Sequence, residues 1–316
     1  MRDKTMDQPS IDLTRARIAL EVTSYCNLRC AMCPLKTMKR GFVHMDLDLL
    51  HKLHREIREM GVKVRWLHEM GEPLIYPHII EALNLFPEVT LSTHGGLLKE
   101  SVSEKILTTP LEHIRICLDT VNPEIYPKIR IGGKFDVVVE NTRRFLELAR
   151  GKPIDIQIQR MITRITLKES VKDFERLFNL KDYPNARVIE KTCEALDTTD
   201  ATELHGVYAG CFQGGPFNWF VVLADGTVTH CCYDYEGHQI IGNAREESIV
   251  EIAKSPVLKS IHDAFLNHDF SYLPRCAECF KHQGEVTIYP TWLYRLVRQL
   301  PFRDVLRKKM FRRGGS

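Results

Sequence analysis

No run of apolar residues in this sequence is long enough to cross a membrane, since the longest runs are only the length of a β-strand. The first ten residues are polar and lack the apolar core of a secretory signal. The sequence also has no internal repeat and no low-complexity segment. These absences exclude membrane-spanning and fibrous classes. They predict a cytoplasmic globular chain, and the 316 residues allow about two domains.

Cysteine, by contrast, is abundant, with ten residues in a chain that carries no export signal. In a reducing compartment, clustered cysteines are more often metal ligands or catalytic groups than disulfides. Seven of the ten fall into close or hairpin-spaced sets. Cys117 and Cys193 stand alone, and we interpret them as small buried apolar residues.

Six short segments rich in β-formers alternate with helical patterns across the first two thirds of the chain. This alternation predicts parallel strands joined by right-handed crossovers. Six units are two short of a closed eightfold barrel, so the predicted fold class is α/β, an open partial (β/α)6 barrel of TIM type. The predicted strands are Arg17–Thr23, Val62–Glu69, Val89–His94, His113–Asp119, Ile154–Ile162 and Ala186–Thr192. The predicted helices are Leu47–Met60, His78–Phe86, Ser101–Thr108, Phe135–Arg150 and Lys168–Leu180.

The fourth and fifth predicted strands carry apolar residues at every second position, with polar or small residues between them. Because side chains alternate between the two faces of a strand, the apolar set is expected to face the helices and the polar set the barrel lumen. A polar lumen predicts a cavity for a polar ligand. The alternative is that these are edge strands with one solvated face. The candidate substrate residues in this lumen are Glu21, Arg115, Gln157 and Gln159.

Glycine and proline become frequent after Leu204, and a hairpin pattern follows. The segments Trp219–Leu223 and Val228–Tyr233 flank an Asp-Gly turn, which is a strong hairpin signal, and a helix is predicted over Glu246–Leu266. We therefore predict a smaller C-terminal domain of β-hairpin and helix. The predicted divisions are an N-terminal extension (1–15), the partial barrel (16–204), the C-terminal domain (205–285) and a basic amphipathic tail (286–316).

Cys26, Cys30 and Cys33 follow the first predicted strand with the spacing Cys-x3-Cys-x2-Cys. A loop with this spacing can wrap three thiolates around one iron–sulfur cluster and leave one iron free to bind a cofactor or substrate. A zinc knuckle is the alternative, but zinc needs a fourth nearby ligand and His44 is poorly spaced. The position after a barrel strand is where barrel enzymes build active sites, which favours the cluster.

This loop resembles the CxxxCxΦC hallmark of the radical S-adenosylmethionine (SAM) superfamily, with Met32 in the apolar position. Three later stretches are similar to further motifs of that superfamily, in the same order. Residues 70–73 (Met-Gly-Glu-Pro) resemble its GGEP motif, residues 92–95 (Ser-Thr-His-Gly) its T-N-G stretch, and residues 116–119 (Ile-Cys-Leu-Asp) its I-S-L-D strand. By this resemblance the SAM-binding residues are Met32, Gly71, Glu72, Pro73, Thr93, His94 and Asp119.

The resemblance implies a [4Fe–4S] cluster on the three loop cysteines that passes an electron to bound SAM. SAM would then yield methionine and a 5′-deoxyadenosyl radical, which abstracts a hydrogen from the substrate. It also implies a protein electron donor such as flavodoxin or ferredoxin.

A second cysteine set lies in the predicted C-terminal domain, and its four thiolates would saturate a [4Fe–4S] cluster or a structural zinc ion. Cys232 is an alternative to its neighbour as a ligand, because adjacent strand residues point opposite ways. The set resembles the SPASM/twitch domains of radical SAM enzymes in the shorter form with one auxiliary cluster. The layout is similar to that of the radical SAM dehydrogenases of 2-deoxy-scyllo-inosamine. The predicted ligands are Cys211, Cys231, Cys276 and Cys279.

The first functional hypothesis is an oxidoreductase of a polyol, sugar or cyclitol, because a fully ligated auxiliary cluster can accept the electron left on a substrate radical beside a hydroxyl. The second is modification of a peptide or protein side chain. Only about 16 residues precede the first strand, too few for a leader-binding domain, which favours a small molecule. Radical epimerisation with Cys117 or Cys193 as hydrogen donor, and a non-catalytic iron–sulfur or zinc protein, are the remaining alternatives.

The tail carries eight Arg or Lys residues from Arg295 to Arg313, against Asp304 alone, and apolar residues lie between them. Such a segment is typical of peripheral contact with an anionic membrane, and a lipid-linked substrate would fit that contact. The alternative is a helix packed on the barrel with its arginines in solvent. Nucleic-acid binding is disfavoured, because the aromatic and basic residues do not spread over a platform.

Overall fold

Six parallel strands form the barrel wall, in the order in which they occur along the chain. The computed structural model describes residues 9–163, 165–192, 211, 216–267 and 269–277. The predicted boundary at Leu204, together with Cys193, Cys279 and the basic tail, lies outside the described residues. Within them, nine strands form one sheet in the order β6-β5-β4-β3-β2-β1-β7-β8-β9. Strands β1 to β6 are paired in parallel, which confirms the predicted partial barrel.

The strands and helices begin and end within a few residues of their predicted positions in the barrel. The strands are β1 Arg17–Leu20, β2 Val64–Trp66, β3 Thr90–Thr93, β4 His113–Asp119, β5 Asp155–Ile162, β6 Ala186–Thr192, β7 Trp219–Val222, β8 Thr227–Thr229 and β9 Ile240–Asn243. The helices are α1 Leu47–Glu59, α2 Ile79–Leu85, α3 Glu100–Ile106, α4 Tyr126–Ile129, α5 Phe135–Leu148, α6 Val171–Phe178, α7 Ile249–Ile252 and α8 Val257–Asn267. Single 3-10 turns span Pro34–Lys36, Pro73–Ile75 and Leu180–Asp182.

The alternation in β4 and β5 separates two environments, as predicted. Ile114, Ile116 and Leu118 are fully buried in the core between the sheet and the helices. Arg115 lies on the opposite face, where its guanidinium donates to Gln157 on β5. Both strands lie inside the sheet rather than at its edge, so the edge-strand alternative is wrong.

The C-terminal hairpin extends the barrel sheet, an arrangement that the sequence pattern did not predict. Strand β7 pairs in parallel with the whole of β1, from Arg17 opposite Trp219 to Leu20 opposite Val222. Strands β8 and β9 then continue the sheet in antiparallel pairing. The side of the lumen below this junction is apolar, because Trp66 and Trp219 stack there with ring centres 5.2 Å apart and pack with Ala19.

Helix α1 fastens the C-terminal segment to the barrel. Asp46 caps the helix by accepting a hydrogen bond from the Leu49 N–H at 2.9 Å, and it also pairs with Arg245 at 2.5 Å. Further along the helix, the Glu56 carboxylate accepts from the Ile249 N–H at 2.9 Å. Helix α1 therefore contacts the residues that follow β9 through Asp46 before its first turn and through Glu56 in its last turns.

The predicted helix Glu246–Leu266 is wrong in its extent, because it is two helices. Helix α7 begins after Ser248, whose side chain forms a capping box with Glu251, and it ends at Ile252. Pro256 precedes α8, and the residue before a proline is pushed out of helical geometry. No described helix is both long enough and apolar enough to span a membrane.

We predict that Phe220→Ala lowers the free energy of unfolding of the metal-free protein by about 3–5 kcal/mol. Phe220 on β7 is fully buried in the same core as Ile18 on β1, so its truncation leaves a cavity at the junction. Urea denaturation followed by circular dichroism measures the change. Val250→Ala is the control, since Val250 is 40% exposed and its loss should cost less than about 0.5 kcal/mol. Two separate unfolding transitions in the wild type would contradict a hairpin that folds with the barrel.

Candidate active site

The loops that follow β1, β2, β3 and β4 meet at one edge of the sheet, because parallel strands all end on the same side. The first of these loops carries Cys26, Cys30 and Cys33, all with free thiols. Cys30 is buried, and the other two are partly exposed. The sequence-predicted cysteines thus share one loop at the edge where a barrel enzyme places its chemistry.

Burial favours the neutral thiol at Cys26 and Cys33. Removal from water raises the pKa of Cys26 to about 12, and it also raises the pKa of Cys33. The Leu28 N–H donates to the Cys26 sulfur at 3.4 Å. Metal ligation requires thiolates, so binding iron here displaces the thiol protons.

The donor set fits an iron–sulfur cluster better than a single metal ion. Among the described residues, no three Cys, His, Asp or Glu side chains lie close enough together to share one ion. A zinc ion holds its sulfurs at about 2.3 Å and so draws them together, whereas each cysteine of a cubane cluster binds a different iron. A cluster on Cys26, Cys30 and Cys33 would leave one iron without a protein ligand.

Gly71 brings the loop after β2 against the cysteine loop. Its φ is +85°, and a Cβ on it would lie 2.2 Å from the Thr23 carbonyl oxygen. The next residue, Glu72, donates its N–H to the Tyr25 carbonyl at 2.8 Å. Only glycine allows this approach of two backbones, which explains why the motif needs it.

Hydrogen bonds connect the buried Glu72 and His94 to the exposed Asn27 and so join three loops. The Glu72 carboxylate accepts from the backbone N–H of His94 at 2.9 Å and of Leu74 at 3.2 Å. The His94 Nδ1 accepts from the Gly96 N–H at 3.0 Å, so the ring proton is on Nε2, which donates to the Asn27 Oδ1 at 2.9 Å. Burial lowers the pKa of His94, in agreement with a neutral ring.

Three other residues of the predicted SAM site have mainly structural contacts. The Thr93 hydroxyl accepts from the Gly95 N–H at 3.1 Å and so shapes the turn after β3. Pro73 opens the 3-10 turn after Glu72, and Met32 lies partly buried between two of the loop cysteines. Their contact with SAM stays a prediction.

Asp119 is the most constrained residue of the predicted set. It is fully buried, and its φ of +70° is unusual for a residue other than glycine. Its carboxylate accepts from the Gln159 side-chain amide at 2.9 Å and pairs with Arg130 at 2.5 Å. Arg130 in turn donates to the Cys30 sulfur at 3.4 Å. The sequence analysis missed Arg130. Its only local signal is that it lies two residues before a Gly-Gly pair in the segment after the I-C-L-D strand.

The lumen face between β2 and β5 presents polar atoms without protein partners, which fits a polar ligand. The Ser92 hydroxyl on β3 and the His68 Nδ1 after β2 are buried and make no hydrogen bond. Arg115 contacts Gln157 at 2.8 and 3.1 Å, a neutral partner that leaves its charge uncompensated. Burial is the main cause that lowers the pKa of His68 to about 3, and Arg115 adds to it.

Glu21, a predicted substrate residue, makes structural contacts, and its contact with a substrate stays a prediction. Its side chain is fully buried and accepts from the Met70 N–H at 3.0 Å, the Ala224 N–H at 3.3 Å and the Arg40 guanidinium. Arg40 also donates to the Tyr235 carbonyl. Both Glu21 oxygens are therefore engaged, and the residue joins the barrel loops to the C-terminal hairpin.

Glu69 is an acidic group at the top of the lumen that the sequence analysis missed. Its side chain is partly accessible and has no hydrogen-bond partner among the described residues. Burial, then the nearby Glu21 and Cys231, raise its pKa well above the usual value for a glutamate. Glu69 can therefore hold a proton at a higher pH than an exposed glutamate does.

Three of the four predicted auxiliary ligands lie among the described residues, namely Cys211, Cys231 and Cys276. The Cys231 sulfur accepts from the Tyr233 N–H at 3.4 Å, and a hydrogen bond from the Cys232 thiol lowers its pKa. Burial raises the pKa of Cys232 well above the usual value. That Cys231 rather than Cys232 is the ligand stays a prediction.

We predict that Gly71→Ala lowers the free energy of unfolding of the metal-free protein by about 2–4 kcal/mol, because the methyl group overlaps the Thr23 carbonyl. Gly151→Ala is the matched control. Gly151 has a similar φ of +74° with nothing within 4 Å of the added Cβ, so only about 1 kcal/mol of backbone strain is expected. Urea denaturation compares the two. Equal losses would show that the close approach at Gly71 does not contribute.

Two family models match the chain. The model of the radical SAM superfamily matches residues 20–180, just over half of the 316 residues, and that of an iron-sulfur cluster-binding domain matches residues 211–280. A curated relative, the probable GTP 3′,8-cyclase of Methanococcus maripaludis, is 29% identical over 164 residues, which are 50% of this chain and 54% of the relative. The chain thus spans about half the length of the curated relatives it matches.

Two solved structures share the fold. BtrN in complex with AdoMet and 2-DOIA is 18% identical, with a TM-score of 0.51, over 79% of this chain and 86% of that chain. SuiB from Streptococcus suis, bound to the precursor peptide SuiA, is also 18% identical, with a TM-score of 0.57, over 81% of this chain and 68% of that chain. The match over residues 20–180 and the cysteine-bearing loop lead to the same conclusion: the chain belongs to the radical SAM superfamily, and its cofactors are SAM and two [4Fe–4S] clusters.

Proposed function

We propose that this protein is a radical SAM oxidoreductase that oxidises a hydroxyl-bearing carbon of a polyol, sugar or cyclitol-like substrate. The observation that carries the proposal is the polar face of the lumen, where Ser92 and His68 have buried polar atoms without a hydrogen-bond partner and Arg115 bonds to the neutral Gln157. When bound, SAM and its cluster supply a 5′-deoxyadenosyl radical that abstracts a substrate hydrogen, and the auxiliary cluster supplies an acceptor for one electron.

The net reaction balances without an external oxidant. The alcohol loses two hydrogens and becomes a ketone, while SAM becomes methionine and 5′-deoxyadenosine. One hydrogen enters 5′-deoxyadenosine, and the other leaves as a proton. A low-potential one-electron donor, of the flavodoxin or ferredoxin class, starts the cycle.

The two sides of the lumen suit an amphipathic ring. Arg115 on β4 donates to Gln157 on β5, so one side of the lumen is polar, and the stacked Trp66 and Trp219 lie on the apolar side. A sugar or cyclitol has hydroxyls at its edge and C–H groups on its faces. The hydroxyls can hydrogen-bond to the polar side of the lumen, and the C–H faces can pack against the tryptophans. Cys231 lies close to Glu69.

Radical epimerisation is the second candidate, and Cys117 favours it. This residue lies on the lumen face of β4 between Arg115 and Asp119, and burial raises the pKa of its thiol. A neutral thiol in the lumen can return a hydrogen atom to a substrate radical. An epimerase would give a product of unchanged mass that gains deuterium in deuterated water, and Cys117→Ala would abolish that product.

The test of the oxidoreductase proposal is turnover of a panel of compounds by anaerobically reconstituted protein with SAM and dithionite. The panel holds cyclitols, sugars, GTP and short peptides, and mass spectrometry follows the products. The expected result is a cyclitol or sugar product that is two hydrogens lighter, and 5′-deoxyadenosine that carries deuterium from a C-deuterated substrate. A cyclised product from GTP, the activity for which the M. maripaludis relative is named, or a modified peptide would overturn the substrate class.

We predict that Arg115→Gln lowers kcat/KM for that substrate about 10- to 100-fold, the loss expected when one hydrogen bond to a charged group is removed. Cleavage of SAM in the absence of substrate should not change, because Arg115 contacts Gln157 and none of the loop cysteines. Arg144→Gln, an exposed arginine on α5, is the control. An equal decrease of kcat/KM in both variants would show that Arg115 does not contact the substrate.

A further inference from the structure

Arg130 lies opposite Cys30, where two backbone hydrogen bonds join the cysteine loop to the segment around Arg130. The Arg29 N–H donates to the Ile131 carbonyl at 2.9 Å, and the Ala31 N–H donates to the Ile129 carbonyl at 2.8 Å. These two bonds flank the pair and fix the segment after α4 alongside the cysteine loop. Within this frame the Arg130 Nη1 lies 3.4 Å from the Cys30 sulfur.

The other side of the Arg130 guanidinium is held by Asp119. The Nη2 lies 2.5 Å from the Asp119 Oδ2, the carboxylate is fully buried, and the Arg130 side chain is only 13% exposed. The second Asp119 oxygen accepts from the Gln159 amide at 2.9 Å. The pair is therefore oriented, with its positive end toward the Cys30 sulfur and its negative end away from it.

We propose that Arg130 is a positioning residue that raises the reduction potential of the cluster held by Cys26, Cys30 and Cys33. Reduction adds one electron and hence one negative charge to the cluster and its thiolates. A guanidinium N–H directed at a ligand sulfur stabilises that added charge, and a site largely removed from water screens the interaction little. Asp119 holds the fork in place, so the carboxylate acts through Arg130.

This role makes the cluster easier to reduce by a flavodoxin- or ferredoxin-type donor, and it rests on the assignment of a cluster to these cysteines. Arginine suits the task because its planar fork contacts two partners at once, which a lysine ammonium on a flexible stem does less well. The two contacts also explain why Asp119 keeps a left-handed backbone at the end of β4.

The test is an EPR-monitored redox titration of the reconstituted two-cluster protein without SAM, so that no contact with SAM contributes. The signal of interest is the one that is lost in Cys30→Ala. Arg130→Gln should move its midpoint potential to a more negative value, and Arg130→Lys should give a smaller shift in the same direction. Lys128→Gln is the matched control, because Lys128 is an exposed cation two residues from Arg130. The midpoint potential of the cluster in this variant should equal that of the wild type.

Arg130→Gln leaves the buried Asp119 carboxylate without its cation, which destabilises the fold. The double variant Arg130→Gln/Asp119→Asn removes both charges and should recover stability while it keeps the more negative potential. Iron content per chain is measured for every protein. Wild-type potentials in both Arg130→Gln variants, at full iron content, would overturn the inference. Absence of iron from the wild type would instead overturn the cluster assignment, so the two failures are distinguishable.

Discussion

Hydrogen bonds from the loops after three different strands hold the cysteine loop. The Glu72 N–H after β2 donates to the Tyr25 carbonyl, the His94 ring after β3 to the Asn27 side chain, and the Arg130 guanidinium after β4 to the Cys30 sulfur. The parallel sheet makes this possible, because it brings all four loops to one edge. Two of the residues that hold the loop, Glu72 and His94, belong to the SAM motifs, and Arg130 lies outside them.

The lumen beneath this loop has one side fixed by hydrogen bonds and another side with buried polar atoms that lack a partner. Glu21 and Arg40 connect the loops to the C-terminal hairpin, and β7 completes the wall beside β1. On the opposite side, Ser92 and His68 have buried polar atoms without partners. Unsatisfied buried groups are costly unless a ligand meets them, so their position indicates where a polar substrate or cofactor binds. The apolar side with the stacked tryptophans needs no such partner.

Local patterns were enough to predict the barrel and the metal site, but not the contacts that support them. The strand His113–Asp119 was predicted to the residue, because its alternation is complete within seven positions. Cys26, Cys30 and Cys33 were predicted as cluster ligands from their spacing together with the resemblance to the radical SAM loop. The pairing of β7 with β1 joins segments about 200 residues apart, and the bond from Arg130 to Cys30 joins residues 100 apart. No local pattern encodes such pairs. The ion pair of Glu21 with Arg40 was missed for the same reason, since alternation within a strand does not identify a partner on a loop.

The most direct test of the central claim compares wild type with a Cys26/Cys30/Cys33→Ala variant, both purified and reconstituted without oxygen. Iron and sulfide per chain are measured together with dithionite-driven release of 5′-deoxyadenosine from SAM. Two clusters predict about eight irons in the wild type, and about four in the variant with SAM cleavage lost. Equal iron in both proteins, or 5′-deoxyadenosine released by the variant, would contradict a SAM-cleaving cluster on this loop.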